Sequence, residues 1–254
     1  MNIEGHSAIV TGGGSGLGEA VARELARLGA KVAVLDVNAA NAQRVASAIK
    51  GLGLTADITD TASLTAALDA AQAAHGTARI VMNIAGIGSA KRVVGKDGNP
   101  APLEDFERVI RINLVGTYNV VRLTAARIAQ LAPLQDGERG VMLMTASVAA
   151  FDGQVGQEAY SASKGGIVAL TLPLARDLAQ HGIRVCTVAP GLFATPLMQQ
   201  LPEAVQASLA ASIPFPKRLG QPEEFALLAV HIVTNGHLNG EVIRLDGALR
   251  MAPR

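Results

Sequence analysis

The chain has no tryptophan, its aromatic residues make up 3% of the total, and Cys186 is the only cysteine. One thiol excludes an intrachain disulfide. Its setting, Arg184-Val185-Cys186-Thr187-Val188, reads as an apolar strand in which the thiol fills space rather than reacts. Charge is scarce too: 17% of residues are Asp, Glu, Lys or Arg, and they sum to +1. So small a net charge supplies no field favouring nucleic acid or an anionic membrane, and there are no aromatic-rich basic tracts. The five histidines show no close metal-ligand spacing, so no metal is expected. No apolar run reaches membrane-spanning length, and no charged start with an apolar stretch and cleavage site precedes the first strand pattern. The expectation is a soluble, cytoplasmic protein.

What is present is apolar material: 49% of 254 residues, enough for one large domain over residues 1–254. So little charge implies that part of the surface is covered by other subunits. Short β-rich runs at 7–11, 31–36, 54–57, 79–83, 140–145, 183–189 and 241–245 alternate with helical patterns. The helices are expected at 15–28, 39–52, 61–75, 103–131, 158–181 and 222–234. That rhythm predicts βαβ units and a doubly wound parallel α/β sheet of about seven strands, with a ligand crevice beyond the carboxyl ends of the strands. Residues up to about 135 would form the cofactor-binding half and the remainder the catalytic and substrate-binding half. Stretch 191–221 holds Pro196, Pro202, Pro214 and Pro216 with Leu192, Phe193, Leu197, Met198, Leu201 and Phe215. It suits an irregular substrate lid, or else a packed excursion.

The first strand runs into Thr11-Gly12-Gly13-Gly14-Ser15-Gly16-Leu17-Gly18 and then a helix. Strand, glycines and helix in that order are what a dinucleotide pyrophosphate needs: a tight turn at Gly12, close backbone at Gly16, close packing at Gly18, and free helix N–H groups. The second strand ends in Asp36, whose carboxylate would accept from ribose hydroxyls and repel a 2′-phosphate; neither Ser15 nor Val37 offsets it with a cation. NAD is therefore expected over NADP, although a strand-end turn would also use an aspartate. Asp57 and Ile58 after the third strand, and Asn83-Ile84-Ala85-Gly86 after the fourth, continue the series of residues at strand ends.

Ser147, Tyr160 and Lys164 stand thirteen and then four residues apart. Tyr160 and Lys164 would share one helix face. An ammonium about 4 Å away would stabilise a phenolate by roughly 4 kcal/mol at an effective dielectric of about 20. That is about three pKa units, less what burial takes back. Ser147, following a strand end, could hold a carbonyl or alcohol oxygen in the same crevice. Taken singly, these residues read as a cap, a core aromatic and a solvated charge.

These motifs resemble the short-chain dehydrogenase/reductase family along nearly the whole chain. The resemblance implies that Tyr160 is the acid/base, Ser147 orients substrate, and Lys164 lowers the tyrosine pKa while holding the nicotinamide ribose. Asn113, in Ile112-Asn113-Leu114, would kink a helix and complete a water-borne proton relay. Asn83, Ala85, Gly86, Pro190, Gly191, Phe193 and Thr195 would join Gly12, Ser15, Gly16, Leu17 and Gly18 around NAD. Longer segments, among them 145–157, 171–178, 189–193 and 238–248, are similar to the branch of that family that oxidises 3-hydroxyacyl-CoA thioesters. That branch implies an (S)-3-hydroxyacyl-CoA substrate, fatty acid metabolism and a homotetramer, the last in keeping with the apolar helix segment 167–174. Lys91, Arg92 and Lys96 would meet the CoA phosphates if they are more than solvated loop charges. Another secondary-alcohol or steroid dehydrogenase, a carrier-protein ketoacyl reductase preferring NADP, and an NAD-binding scaffold all remain open.

Overall fold

Buried on both faces, parallel strands need near-continuous apolar runs, and seven short runs of this kind form one sheet. In the computed structural model, which describes residues 1–253 but not the side chain of Leu197, the strands are β1 (Ser7–Thr11), β2 (Lys31–Asp36), β3 (Leu52–Thr55), β4 (Ile80–Asn83), β5 (Gly140–Thr145), β6 (Ile183–Pro190) and β7 (Val242–Leu245). Their order is β3-β2-β1-β4-β5-β6-β7, every pair parallel. The order reverses between β1 and β4, so a crevice opens there at the carboxyl ends.

Alternation along the strands divides the core in two. Val10, Val34, Met82, Leu143 and Cys186 meet helices α1 (Gly16–Arg27), α2 (Ala39–Ala48) and a late helix, Pro222–Thr234. Ile9, Leu35, Val81, Met144 and Val185 face α3 (Thr61–His75), the helical run 103–128 and Glu158–Ala179 on the other side. Cys186 is fully buried, and burial raises its thiol pKa, as a space-filling residue requires. Among the described residues, no helix is long and apolar enough to cross a membrane, and no cluster of three His, Cys, Asp or Glu could hold a metal.

Three expectations are corrected. The third strand occupies Leu52–Thr55, not 54–57, because Leu52 registers with Ala33; Asp57 lies past it, in the turn to α3. The helix expected over 103–131 is continuous but not uniform: α4 (Leu103–Ile110) passes into a π-helical stretch (Arg111–Gly116) and then α5 (Thr117–Ile128). Stretch 191–221 is not irregular throughout: after α6 (Glu158–Ala179) and β6 come α7 (Pro196–Gln199) and α8 (Glu203–Ala211), then α9 (Pro222–Thr234). The Leu197 side chain lies outside the described residues.

Candidate active site

A cavity of about 750 Å³ runs along the carboxyl edge of the sheet. Gly12, Ser15, Gly16, Leu17 and Gly18 line its floor between β1 and α1. A Cβ on Gly18 would overlap the Gly12 carbonyl oxygen, and one on Gly12 (φ 63°) would lie 2.7 Å from Ala85 Cα. Both positions therefore exclude a side chain. Ser15 is the N-cap of α1 but makes no side-chain capping bond, which leaves the first-turn N–H groups free for an anion. Across the floor, Thr11 Oγ1 accepts from Ile84 N (3.2 Å) and Ala85 N (3.4 Å), pinning the end of β4.

Asp36 lines the same cavity at the end of β2 and accepts from Gly14 N (3.0 Å) and Asn38 N (2.9 Å). The carboxylate thus closes its own turn while facing the cavity. Arg44 reaches the neighbouring Gly14 carbonyl (2.9 Å), but its guanidinium is bound to Glu19 at 2.6 Å. Asp57 and Ile58 also line the cavity; Asp57 Oδ1 accepts from Thr59 N (2.8 Å), and Asn119 Nδ2 donates to the Ile58 carbonyl (2.9 Å).

At the other end Tyr160, Lys164, Pro190 and Thr195 join the lining, with Ala85 and Gly86 between the two ends. The Ser147 side chain lies close enough to the Tyr160 hydroxyl to favour its ionised form, and Ser147 Oγ accepts from Ala149 N at 3.1 Å. Ser147 is buried just behind the cavity wall. Lys164 donates to the Thr145 carbonyl at 2.7 Å and stands 5.8 Å from the Tyr160 ring centre. A Cβ on Gly86 would be 3.1 Å from Asn113 Oδ1 and 3.4 Å from Lys164 Nζ, so the bare glycine keeps those two groups close.

Burial, which the sequence argument set against the ammonium, governs the electrostatics here. It raises the Tyr160 phenol, with the Ser147 side chain pulling the other way. Burial likewise lowers the Lys164 ammonium to about 8. The lysine that was expected to bring the phenol down is itself desolvated.

Asn113 is fully buried and does not line the cavity. Its side chain accepts from Ile87 N (2.8 Å) and donates to Ile87 O (2.9 Å) and Ser163 Oγ (3.0 Å), while Ser163 donates to the Tyr160 carbonyl (2.7 Å). The π-helical stretch turns this side chain towards the β4 loop, tying it to the tyrosine's own turn.

Three expected contact residues stand elsewhere. Asn83 is buried and outside the lining, because alternation along β4 turns it away. Gly191 packs on Asp246, where a Cβ would come within 2.9 Å of its Cα. Phe193 turns into the core, edge-on to Phe225 with ring centres 6.3 Å apart. Lys91 is paired with Asp105, and none of Lys91, Arg92 and Lys96 lines the cavity. Arg108, Arg111 and Ile112, which sequence reasoning passed over, do line it; a three-then-one spacing on an amphipathic helix was the available signal.

A family model described as short chain dehydrogenase matches residues 6–206. The chain belongs to this family. It is 51% identical over 254 residues to the 3-hydroxyacyl-CoA dehydrogenase type-2 of Drosophila melanogaster, covering 99% of this chain and 100% of the relative. The crystal structure of 3-hydroxyacyl-CoA dehydrogenase type-2 from Mycobacterium avium superposes with a TM-score of 0.93 at 45% identity, covering 98% of each chain. That of the 3-ketoacyl-(acyl-carrier-protein) reductase from Brucella melitensis, complexed with NADH, gives 0.87 at 32% identity, covering 98% of this chain and 100% of the other.

Proposed function

We propose that this short-chain dehydrogenase oxidises a secondary alcohol to a ketone with NAD, its substrate being an (S)-3-hydroxyacyl-CoA thioester and its product the 3-oxoacyl-CoA. The observation that carries the chemistry is the juxtaposition of Tyr160 and Ser147, with Lys164 behind them, at one end of the glycine-floored cavity. The 51% identical relative supports the thioester as substrate.

The residues fit the dinucleotide. A floor where Gly12 and Gly18 exclude any Cβ admits a pyrophosphate, and the uncapped start of α1 supplies donors to it. Asp36 would take the adenosine ribose hydroxyls and disfavour a 2′-phosphate. Tyr160, Lys164, Pro190 and Thr195 would hold the nicotinamide end. When bound, NAD supplies the acceptor for the hydride leaving the carbinol carbon.

The chain's own part is the proton. Ser147 Oγ orients the alcohol oxygen, and the Tyr160 phenolate takes its proton as the carbonyl forms. A phenol kept high by burial holds that proton tightly, which suits reduction as much as oxidation. Lys164, titrating at about 8, can pass a proton at neutral pH as an unburied lysine cannot. Asn113 and Ser163 fix the turn carrying Tyr160, and Asn113 would complete the relay toward Lys164 that the family resemblance implies.

A homotetramer is part of the same reading. Leu103, Phe106, Val115 and Tyr118 on the 103–128 run, with Leu172 on α6, are exposed apolar side chains that other subunits would cover. Light scattering on the purified chain tests it. A cytoplasmic location belongs here too and rests on the single unpaired, buried Cys186; cell fractionation tests it. For the activity, rates with (S)- and (R)-3-hydroxybutyryl-CoA, a free hydroxyacid and a steroid, each with NAD and NADP, are the experiment. The (S)-thioester with NAD should be turned over fastest; a preference for NADP or for a non-thioester would overturn the assignment.

A further inference from the structure

The two guanidinium groups of Arg108 and Arg111 are the largest feature of the cavity that the proposed reaction leaves unused. Both are exposed, both line the cavity, and among the described residues neither has a salt-bridge or side-chain hydrogen-bond partner. Most other arginines near the site are committed: Arg44 to Glu19, and Arg122 to Asn119 and Thr61. Of the three acidic residues on α4, Asp105 is taken by Lys91, and Glu104 and Glu107, four residues before Arg108 and Arg111, make no ion pair with them.

Their position along the cavity follows from the helix that carries them. Further along it, Gly116 lies against the Ile58 side chain, where a Cβ would be 2.7 Å from Ile58 Cγ1, and Asn119 holds the Ile58 carbonyl. On the opposite flank Asn113 is bonded to the Ile87 backbone. The helix therefore bridges the Asp57–Ile58 turn and the Gly86–Ile87 turn, and its cations overlook the span between them.

That span has an electrostatic problem. Asp36 and Asp57 both face the cavity, and a pyrophosphate on the glycine floor would add further negative charge beside them. Lys164 is buried at the far end and bonded to Thr145. We propose that Arg108 and Arg111 form a cationic rim that receives the adenosine diphosphate moiety of the ligand in this cavity. Guanidinium groups suit that task, because they pair with phosphate oxygens and stack on an adenine face. The rim offsets the two aspartates, so it favours NADH over NAD, whose nicotinamide carries a positive charge of its own. The proposal rests on the dinucleotide reading above. The same moiety occurs in CoA, so the substrate is a second source of it.

Titration of wild type, Arg108→Ala, Arg111→Ala and the double variant with NADH, NAD and ADP-ribose at low and high salt tests this. Each single change should weaken NADH and ADP-ribose binding by about two- to fivefold, a scale typical of exposed charge pairs. The double variant should lose more for NADH than for NAD, and its salt dependence should flatten, since exposed charges are screened over about 10 Å at 0.1 M salt. Arg92→Ala, a cation outside the lining, should change nothing. KM for acetoacetyl-CoA against the shorter pantetheine thioester identifies the other source: a rise confined to the CoA ester assigns the rim to the substrate's adenosine diphosphate and also supports the proposal. NADH affinity and both KM values unchanged in the folded double variant would overturn the rim while leaving the dinucleotide reading intact. A wild type that binds neither NADH nor ADP-ribose would overturn both.

Discussion

Replacing Lys164 by methionine should stabilise the fold at neutral pH relative to alkaline pH while destroying turnover. The ammonium is buried, and burial lowers its pKa from the ordinary 10.5 to about 8. The unfolded chain therefore binds a proton between those values that the folded chain has given up, and stability rises with pH across that window. Below pH 8 the full penalty of the buried charge is present; above 10.5 it is gone. At about 1.36 kcal/mol per pKa unit, that gap is worth about 3 kcal/mol. Methionine fills similar volume without a charge, but it leaves the Thr145 carbonyl without its 2.7 Å donor, which costs about 1–3 kcal/mol at every pH. The pH-dependent difference between the two proteins is thus cleaner than either stability alone. Urea unfolding of both at neutral pH and near pH 10.5 measures it. The stability of the wild type relative to the variant should improve by about 3 kcal/mol on going to the higher pH. A difference that stays flat, or runs the other way, would refute burial as the governing effect at Lys164.

Other outcomes follow from the same geometry. Asp36→Ala should weaken NAD binding and narrow the preference over NADP, as measured by the ratio of kcat/KM for the two cofactors. It should also loosen the turn at Gly14 and Asn38, visible as faster amide exchange there. Gly18→Ala pushes a methyl into the Gly12 carbonyl, so the folded fraction should show NADH binding weakened by at least about tenfold, read by fluorescence titration. Asn113→Leu removes the bonds to Ile87 and Ser163, and kcat should fall more than NADH affinity does, since the tyrosine turn is what loosens.

The residues that were legible in the sequence act through local spacing. Strand β1, the glycine turn and α1 form one contiguous unit, and Tyr160 and Lys164 are one helical turn apart, so neither needs a distant partner to be recognised. The inward turn of the Phe193 ring was not legible, because what draws it in is Phe225, together with the room left at Gly220, both far along the chain. The irregularity at Arg111–Gly116 was expected only as the kink at Asn113 that the family resemblance implies; its π-helical form was not legible, because it differs from an α-helix in hydrogen bonding and not in composition. Burial was expected to oppose the charged forms of Tyr160 and Lys164, but its dominance was not legible, for a related reason. Spacing gives the distance between two groups along a helix, but the surrounding layers, which carry the desolvation, come from β5, β6 and the β4 loop. Arg108 and Arg111 were passed over, because nothing in their spacing shows that the turn at Ile58 lies beside their helix.

On the proposed function, the Tyr160 hydroxyl moves the substrate's proton in a cavity that holds NAD. NADH formation from (S)-3-hydroxybutyryl-CoA by wild type and Tyr160→Phe, with NADH affinity measured on both, tests it most directly. The claim predicts a fall in kcat of at least about 100-fold, the scale of general acid–base catalysis, with affinity for the dinucleotide retained. A phenylalanine variant that turns over as fast as the wild type would contradict it.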